Sequence, residues 1–563
     1  MKKLLLLAGV FMTLSTFAQD DMSIVWESKL DHKIESHGVG TEQRGYSYAA
    51  SQKEVTVFDN KTGKVLWIKR FKDVAPKLRK VDEIIPLWES DALLLFDKKA
   101  GKDQVACVDM KTGNLLWNSE RFQLSESFAS AFVGSQNETT EFADLFIDIP
   151  EENGFIVAMK KEMIFVDAKT GKERWSTEKF KGVVGAYIYK DGFIYGINFV
   201  PGGLGALFTG MKNQVVKMDM SNGDVVWEQA YIGRAERKVI TKEFLFDLDL
   251  KDDMLVLRMN GIQTYDINTG AKLWAAAFDF TADKMVGQPA GTKKFGVYGA
   301  VAEPIFHGDD VYVLDMSSKK SQYLKKYDKN TGKLLWTSAE IKAARAIPSM
   351  GLAGDKIVLQ IGGLVEAQAY IRKKVKQSDG TYTWETETRV WYPEVKPFGL
   401  QAFNVADGSL AWDSERFKKG ISNSFTVEGN VIISSGKSLY SIKAADGNVN
   451  YEIALKDDGI GTGEGLQLYN DKAVVIGKKG IATHNISDGK LVASNKYKTS
   501  FLEDYVGDYL IMKTNSADIA CFDLKDCSFK QFKAKKGAST TLTTEAEYVY
   551  VHENKVVTKL KVK

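Results

Sequence analysis

The side chains best suited to chemistry fall into a sparse group and an abundant one. The sparse group holds five His residues, His32, His37, His307, His484 and His552, and three thiols, Cys107, Cys521 and Cys527. No His stands in an H-E-x-x-H pair, the spacing that sets two imidazoles and a general base around zinc. His32 and His37 lie five residues apart, which on an extended strand puts them on opposite faces. All five are expected as core or solvated residues. There is no C-x-x-C-H haem attachment and no G-x-S-x-G nucleophile elbow. Gly202-Gly203-Leu204-Gly205 does not lead into a helix, so it reads as a loop and not a phosphate cradle. No catalytic, cofactor-binding or metal residue is expected. The abundant group is the carboxylates, and these recur at a fixed spacing.

That spacing belongs to a repeat, which reads apolar strand, Asp, two variable residues, Thr or a similar small residue, Gly, three residues, Trp. Its clearest copies are Asp59, Gly63, Trp67 and Asp109, Gly113, Trp117. The register continues in Asp167, Gly171, Trp175; Asp219, Gly223, Trp227; Asp266, Gly270, Trp274; and Asp328, Gly332, Trp336. Asn404, Gly408 and Trp412 keep it with Asn in place of Asp. Three copies are degenerate: Gly447 precedes Tyr451, Gly489 precedes Ala493, and Cys527 replaces the glycine four residues after Asp523. Asp or Asn at a strand end bonds its own following backbone in an Asx-type turn. Gly four residues on supplies positive φ for the reversal, and Trp then emerges on one fixed face of the return strand. One hairpin cannot bury such a ring, so the units must stack.

Further strand-like runs, such as Asp191–Tyr195, Gly429–Ile433 and Gly507–Ile511, precede motif copies. Each unit therefore has four strands, with the motif hairpin as its last two. This predicts an all-β chain, a β-propeller of four-stranded blades. The tail from Glu547 to Lys563 lacks a final Trp-bearing strand, and Ser23-Ile24-Val25-Trp26 fits that role. The N-terminal strand is thus expected to close the ring, giving eleven units. Lys559, Lys561 and Lys563 alternate with apolar residues and read as the solvated face of a strand.

Lys2 and Lys3, the apolar run Leu4–Phe17 and Thr16-Phe17-Ala18 read as a signal peptide over residues 1–18. Export to the periplasm or the extracellular space follows. No Cys follows the run to take a lipid anchor, and no later stretch approaches a membrane span. Removing Lys2 and Lys3 from the 76 basic residues leaves 74 against 73 acidic ones, a net of +1. That balance gives no case for a nucleic-acid partner. Three Cys are too few for a disulfide-built fold; an exported chain permits one bridge, Cys521 to Cys527, or three free thiols.

The Asp-x-x-Thr-Gly-x-x-x-Trp motif resembles the docking motif of the quinoprotein-like, or PQQ-repeat, propellers over almost all of residues 19–563. Only Ala402 matches the Ala common two residues before the Asp. The resemblance implies eight blades, so eleven units is a departure. It also implies two functional classes, PQQ- and calcium-dependent dehydrogenases and non-catalytic propellers that act through protein contacts, such as the outer-membrane assembly propeller. The adjacent Cys pair found near the quinone in such dehydrogenases has no counterpart here. Neither PQQ nor calcium is therefore expected, and the non-catalytic class fits better. The resulting expectation is a protein-binding or scaffolding module of the cell envelope. The alternatives are a PQQ/calcium-dependent dehydrogenase-like enzyme and a propeller that binds carbohydrate or a small ligand.

Two insertions interrupt the repeat, near 199–213 and 362–400. The longer reads as a hairpin about the Asp379-Gly380 turn. Arg372, Trp384, Trp391 and Tyr392 on it are the candidate partner-binding residues, since Arg and aromatics dominate interface hot spots.

Overall fold

Strands covered by neighbours on both faces are apolar throughout, whereas outer strands alternate. The first unit shows both patterns. The middle strands Val55–Phe58 and Leu93–Phe96 are wholly buried, while the motif strand Val65–Arg70 buries chiefly Trp67. In the computed structural model the described residues are 20–562, apart from 79–80, 100–101, 123–132, 135–145, 159–161, 181–182, 200–212, 233–243, 246, 259–260, 278–295, 298–300, 317–320, 342–343, 366, 377–381, 415–416, 498–500 and 514–517. The leader at 1–18, and nearly all of the shorter insertion, lie outside them.

The strands form eleven four-stranded antiparallel blades in one ring. Blades 1 to 5 span 36–70, 83–119, 146–177, 183–229 and 247–276. Blades 6 to 10 span 305–337, 349–413, 421–454, 463–496 and 501–533. Blade 11 takes three strands from 539–561 and its fourth from Ser23–Lys29, which runs antiparallel to Val556–Lys561. The expected closure by the N-terminal strand is thus present. First strands of neighbouring blades lie against one another, as Ser349–Ala353 does with Ile421–Val427, so they face the axis. The motif strand is the outermost. Among the described residues no helix is long and apolar enough to cross a membrane.

Exposed outer strands risk pairing with other chains, and a β-bulge is one way to prevent it. In blades 1 to 9 and in blade 11 the register slips between the third and fourth strands. The slip falls at the motif residue before Trp, which leaves Leu66 and Leu335, for example, turned to solvent. Blade 10 has lost the motif glycine and Trp, and its outer strand Phe529–Lys533 pairs without a slip. There Asp20–Asp21 adds as a fifth, parallel strand, and the Met22 amide donates to the Gln531 carbonyl at 2.7 Å. The one straight outer edge among the blades is therefore covered by the chain itself.

Candidate interaction surfaces

The motif turn is built locally. Asp59 Oδ1 accepts from the Thr62 amide at 2.7 Å and its hydroxyl at 2.6 Å, and the Gly63 amide donates to the Asp59 carbonyl at 2.8 Å. Asp109, Asp167, Asp266 and Asp328 repeat the arrangement with their own Thr, and Asp219 does so with Ser221. These bonds favour the ionised form. The Thr62 hydroxyl holds the Asp59 carboxyl below its usual range, and Ser221, Thr269 and Thr331 do the same for Asp219, Asp266 and Asp328. At Asp167, partial burial works the other way, but Arg174 and Thr170 outweigh it.

The Trp of each unit docks on the next blade. The Trp67 indole N–H donates to the Met110 carbonyl at 2.9 Å, and Trp117, Trp175 and Trp227 donate to Ala168, Met220 and Ile267. Trp274, Trp336 and Trp412 donate likewise to Lys329, Val405 and Ala444, and Trp26 to Asn60 across the closure. Every acceptor directly follows the Asp position of its motif. Each ring also lies on the next blade's turn glycine. A Cβ at Gly113 would sit 2.7 Å from Trp67, and Gly63, Gly171, Gly223, Gly270, Gly332, Gly408 and Gly447 are equally crowded by Trp. These glycines have φ between 66° and 77°, so both the turn and the approaching ring demand Gly.

The degenerate copies obey the same rule. The Tyr451 hydroxyl takes the place of the indole and donates to the Ile486 carbonyl at 3.1 Å, over Gly489. Blade 9 offers only Ala493, and there the receiving position on blade 10 is Cys527, with φ of 57°. Cys527 is fully buried beside Ala493, and its sulfur lies 3.1 Å from the Thr483 hydroxyl. The joint without Trp is thus also without Gly, and the thiol occupies the place a ring takes at the other joints.

This placement corrects the possible bridge between Cys521 and Cys527. Cys521 packs toward blade 11 with Val549 and Leu560, whereas Cys527 packs toward blade 9 with Val474 and Ile481. They lie on opposite faces of blade 10, and all three thiols are free and buried. Burial pushes the Cys527 thiol up to about 11. Thiol titration of denatured, unreduced protein should count three groups; a count of one would restore the bridge.

The closure between blades 11 and 1 adds a buried ion pair to its Trp26–Gly63 joint, and the reading of Lys559 as solvated is wrong. Lys559 is 2% exposed, because its strand is third in the blade and covered on both faces. Its ammonium donates to Glu42 Oε2 at 2.7 Å and to the Asn60 carbonyl at 2.9 Å, and it lies 3.8 Å from the Tyr548 ring centroid. The Tyr550 hydroxyl donates to the other Glu42 oxygen at 3.1 Å. His552 stacks on His37 at 3.8 Å, and the Ser539 hydroxyl lies 2.8 Å from His37 Nε2. Among the described residues neither His552 nitrogen has a hydrogen-bond partner. Of the other His residues, His32 meets the Thr56 hydroxyl at 2.8 Å, His484 is buried 3.2 Å from Asp458, and His307 is exposed.

Burial, with His37 beside it, lowers His552 to about 3, and burial lowers His37 too. Unfolded His titrates near 6.5, so the folded state binds fewer protons below that pH. The contribution of this pair is complete above about pH 6.5 and is lost as pH falls toward 3. Melting temperature should drop less between pH 7 and pH 4 in His552→Leu than in the parent chain. Equal drops would show that the pair contributes nothing to the acid sensitivity.

The candidate partner residues lie on a hairpin between the second and third strands of blade 7. Ala367–Lys376 pairs with Tyr382–Trp391, with Arg372 opposite Thr386, Lys374 opposite Trp384 and Ala367 opposite Trp391. Gly296–Val297 adds on the Ala367–Lys376 side, making a three-stranded sheet outside the blades. Tyr392, just beyond the hairpin, is 63% exposed. Among the described residues no three His, Cys, Asp or Glu side chains are grouped to hold a metal ion.

No curated protein is matched by the chain. Among solved structures, BamB from Moraxella catarrhalis is similar at 14% identity, covering 70% of this chain and 92% of that one with a TM-score of 0.30. The computationally designed Ika8 protein gives 12% identity, coverage of 70% and 100%, and a TM-score of 0.33. A eukaryotic initiation factor gives 9% identity, coverage of 77% and 97%, and a TM-score of 0.37. The family profile described as outer membrane protein assembly factor BamB matches residues 2–207, 198–288 and 398–557. Those segments span well over half of the sequence and most of the ring, and the chain belongs to that family of PQQ-like propellers.

Proposed function

We propose that this protein is an exported, non-catalytic propeller that serves as a protein-binding scaffold of the cell envelope, working without PQQ or calcium. The observation that carries this reading is the use made of the regularly spaced carboxylates. Asp59, Asp109, Asp167, Asp219, Asp266 and Asp328 each accept bonds at Oδ1 from their own turn, so one oxygen of each carboxylate is committed to holding a hairpin. The Trp residues are likewise committed to joining blades. What remains for function is surface, and the hairpin bearing Arg372, Trp384 and Trp391, with Tyr392 just beyond it, forms a sheet outside the blades. Family membership supports an assembly role, and residues 1–18 support export.

The test is cross-linking in intact cells followed by capture of the full chain, alongside Trp384→Ala and Arg372→Glu variants. One protein partner whose yield falls in the variants supports the scaffold. Recovery of no protein partner counts against it. Calorimetry with PQQ and calcium should show no binding; nanomolar affinity would replace the scaffold with an enzyme.

A further inference from the structure

Every outward-facing blade edge in this molecule is either bulged or covered. Ten outer strands of four to seven residues carry a register slip beside Trp or its replacement, and the straight outer strand of blade 10 is covered by Asp20–Asp21. The hairpin strand Tyr382–Trp391 breaks this rule. It has ten residues, pairs with Ala367–Lys376 from end to end without a slip, and stands at the edge of its sheet. No strand among the described residues covers its outer side. A long, regular edge presents a row of backbone donors and acceptors to whatever extended chain can align with it.

The order of residues along this edge indicates which chain that is. The strand reads Tyr-Thr-Trp-Glu-Thr-Glu-Thr-Arg-Val-Trp. Two antiparallel copies related by a two-fold axis set residues opposite each other in pairs that share a face. With the axis at Thr388, Glu387 lies opposite Arg389 of the second copy, twice by symmetry. Thr386 lies opposite Val390, Glu385 opposite Trp391, and Thr388 opposite itself. Seven residues of each strand pair in this register, and no like charges meet. Moving the axis to Glu387 sets that carboxylate against its own copy, and moving it to Thr386 opposes Glu385 and Glu387. These, together with an axis at Glu385, which sets that carboxylate against its own copy, are the only other registers that pair seven or more residues of the strand. Opposite charges directly across a strand pair favour it and like charges oppose it, so the charges select one register and reject its neighbours.

We infer that two copies of this chain join edge to edge through Tyr382–Trp391, with the two-fold axis at Thr388, into one continuous sheet linking two propellers. The hairpin sheet of Gly296–Val297, Ala367–Lys376 and Tyr382–Trp391 then becomes six-stranded across the dimer. No blade edge is used, so both rings stay intact and keep their remaining surfaces open.

Sedimentation equilibrium of the full chain tests this. A monomer–dimer equilibrium is expected at concentrations up to about 100 μM. Glu387→Arg places Arg opposite Arg twice and should weaken the dimer by about tenfold or more. The double variant Glu387→Arg/Arg389→Glu swaps the charges and should restore it. Thr388→Pro removes an amide at the axis and should leave monomer, with an unchanged circular dichroism spectrum showing that the propeller is folded. A monomer at every concentration overturns the proposal. So does a dimer indifferent to Thr388→Pro, or a charge swap that fails to restore pairing. The scaffold reading stands or falls separately, by the cellular cross-linking.

Discussion

Replacing Trp67 by Ala is expected to lower the unfolding free energy by about 3–5 kcal/mol, as read from chemical denaturation. The ring is buried, lies on Gly113, and donates its N–H to Met110, so truncation empties the joint between blades 1 and 2. Two further variants separate the parts of this effect. Trp67→Phe keeps most of the packing and deletes the donor, and should cost about 1–2 kcal/mol. Gly113→Ala leaves the ring but forces Cβ into it at positive φ, and should cost about 2–4 kcal/mol. The molecule also contains its own solution to the missing ring, in Ala493 and Cys527. Trp67→Ala combined with Gly113→Cys should therefore be more stable than the sum of the two single changes by about 1 kcal/mol or more. Strict additivity would mean that the Ala493–Cys527 joint is not a compensated pair.

The second large effect lies at the closure. Glu42→Ala leaves the Lys559 ammonium buried without its carboxylate, and removing one partner of a buried ion pair costs about 3–5 kcal/mol. The Asn60 carbonyl and the Tyr548 ring still face the ammonium, which places the expectation near the lower end, about 3 kcal/mol. Lys559→Met with Glu42→Leu removes both charges, and should recover most of the loss, since paired apolar groups of similar size replace a buried pair at little cost. A loss below about 1 kcal/mol in Glu42→Ala would show that the ammonium reaches water. The closure carries this pair in addition to its Trp26–Gly63 joint, and it joins segments more than 500 positions apart. A charged pair with aromatic walls has one good register, whereas apolar faces tolerate several.

The ring was legible because its motif is local. Asp, Thr and Gly specify a turn within five residues, and Trp four places later reports the stacking of neighbours, so the units announce themselves without knowledge of long-range contacts. The closing strand was legible for the same reason, since Trp26 repeats the motif's last position. The closure's chemistry was not. Glu42, Lys559, His37 and His552 carry no spacing in common, and their partnership exists only once the ends meet. Alternation misread Lys559 because a third strand in a propeller is covered on both faces. The bridge between Cys521 and Cys527 failed for a related reason. Short separation in sequence says nothing of which face of a blade each thiol takes, and here the faces are opposite. The backbone of the partner hairpin was legible from its Asp379-Gly380 turn signal, but the straightness of its outer edge required the strand register.

One ring of eleven blades closed by Ser23–Lys29 underlies every joint described above, and electron-microscopy class averages of the purified protein viewed down the axis count those blades directly. Eleven blades around one axis, with no gap beside blade 1, is the expected image. An eight-bladed ring with a separate three-blade unit, or an open arc, would contradict it.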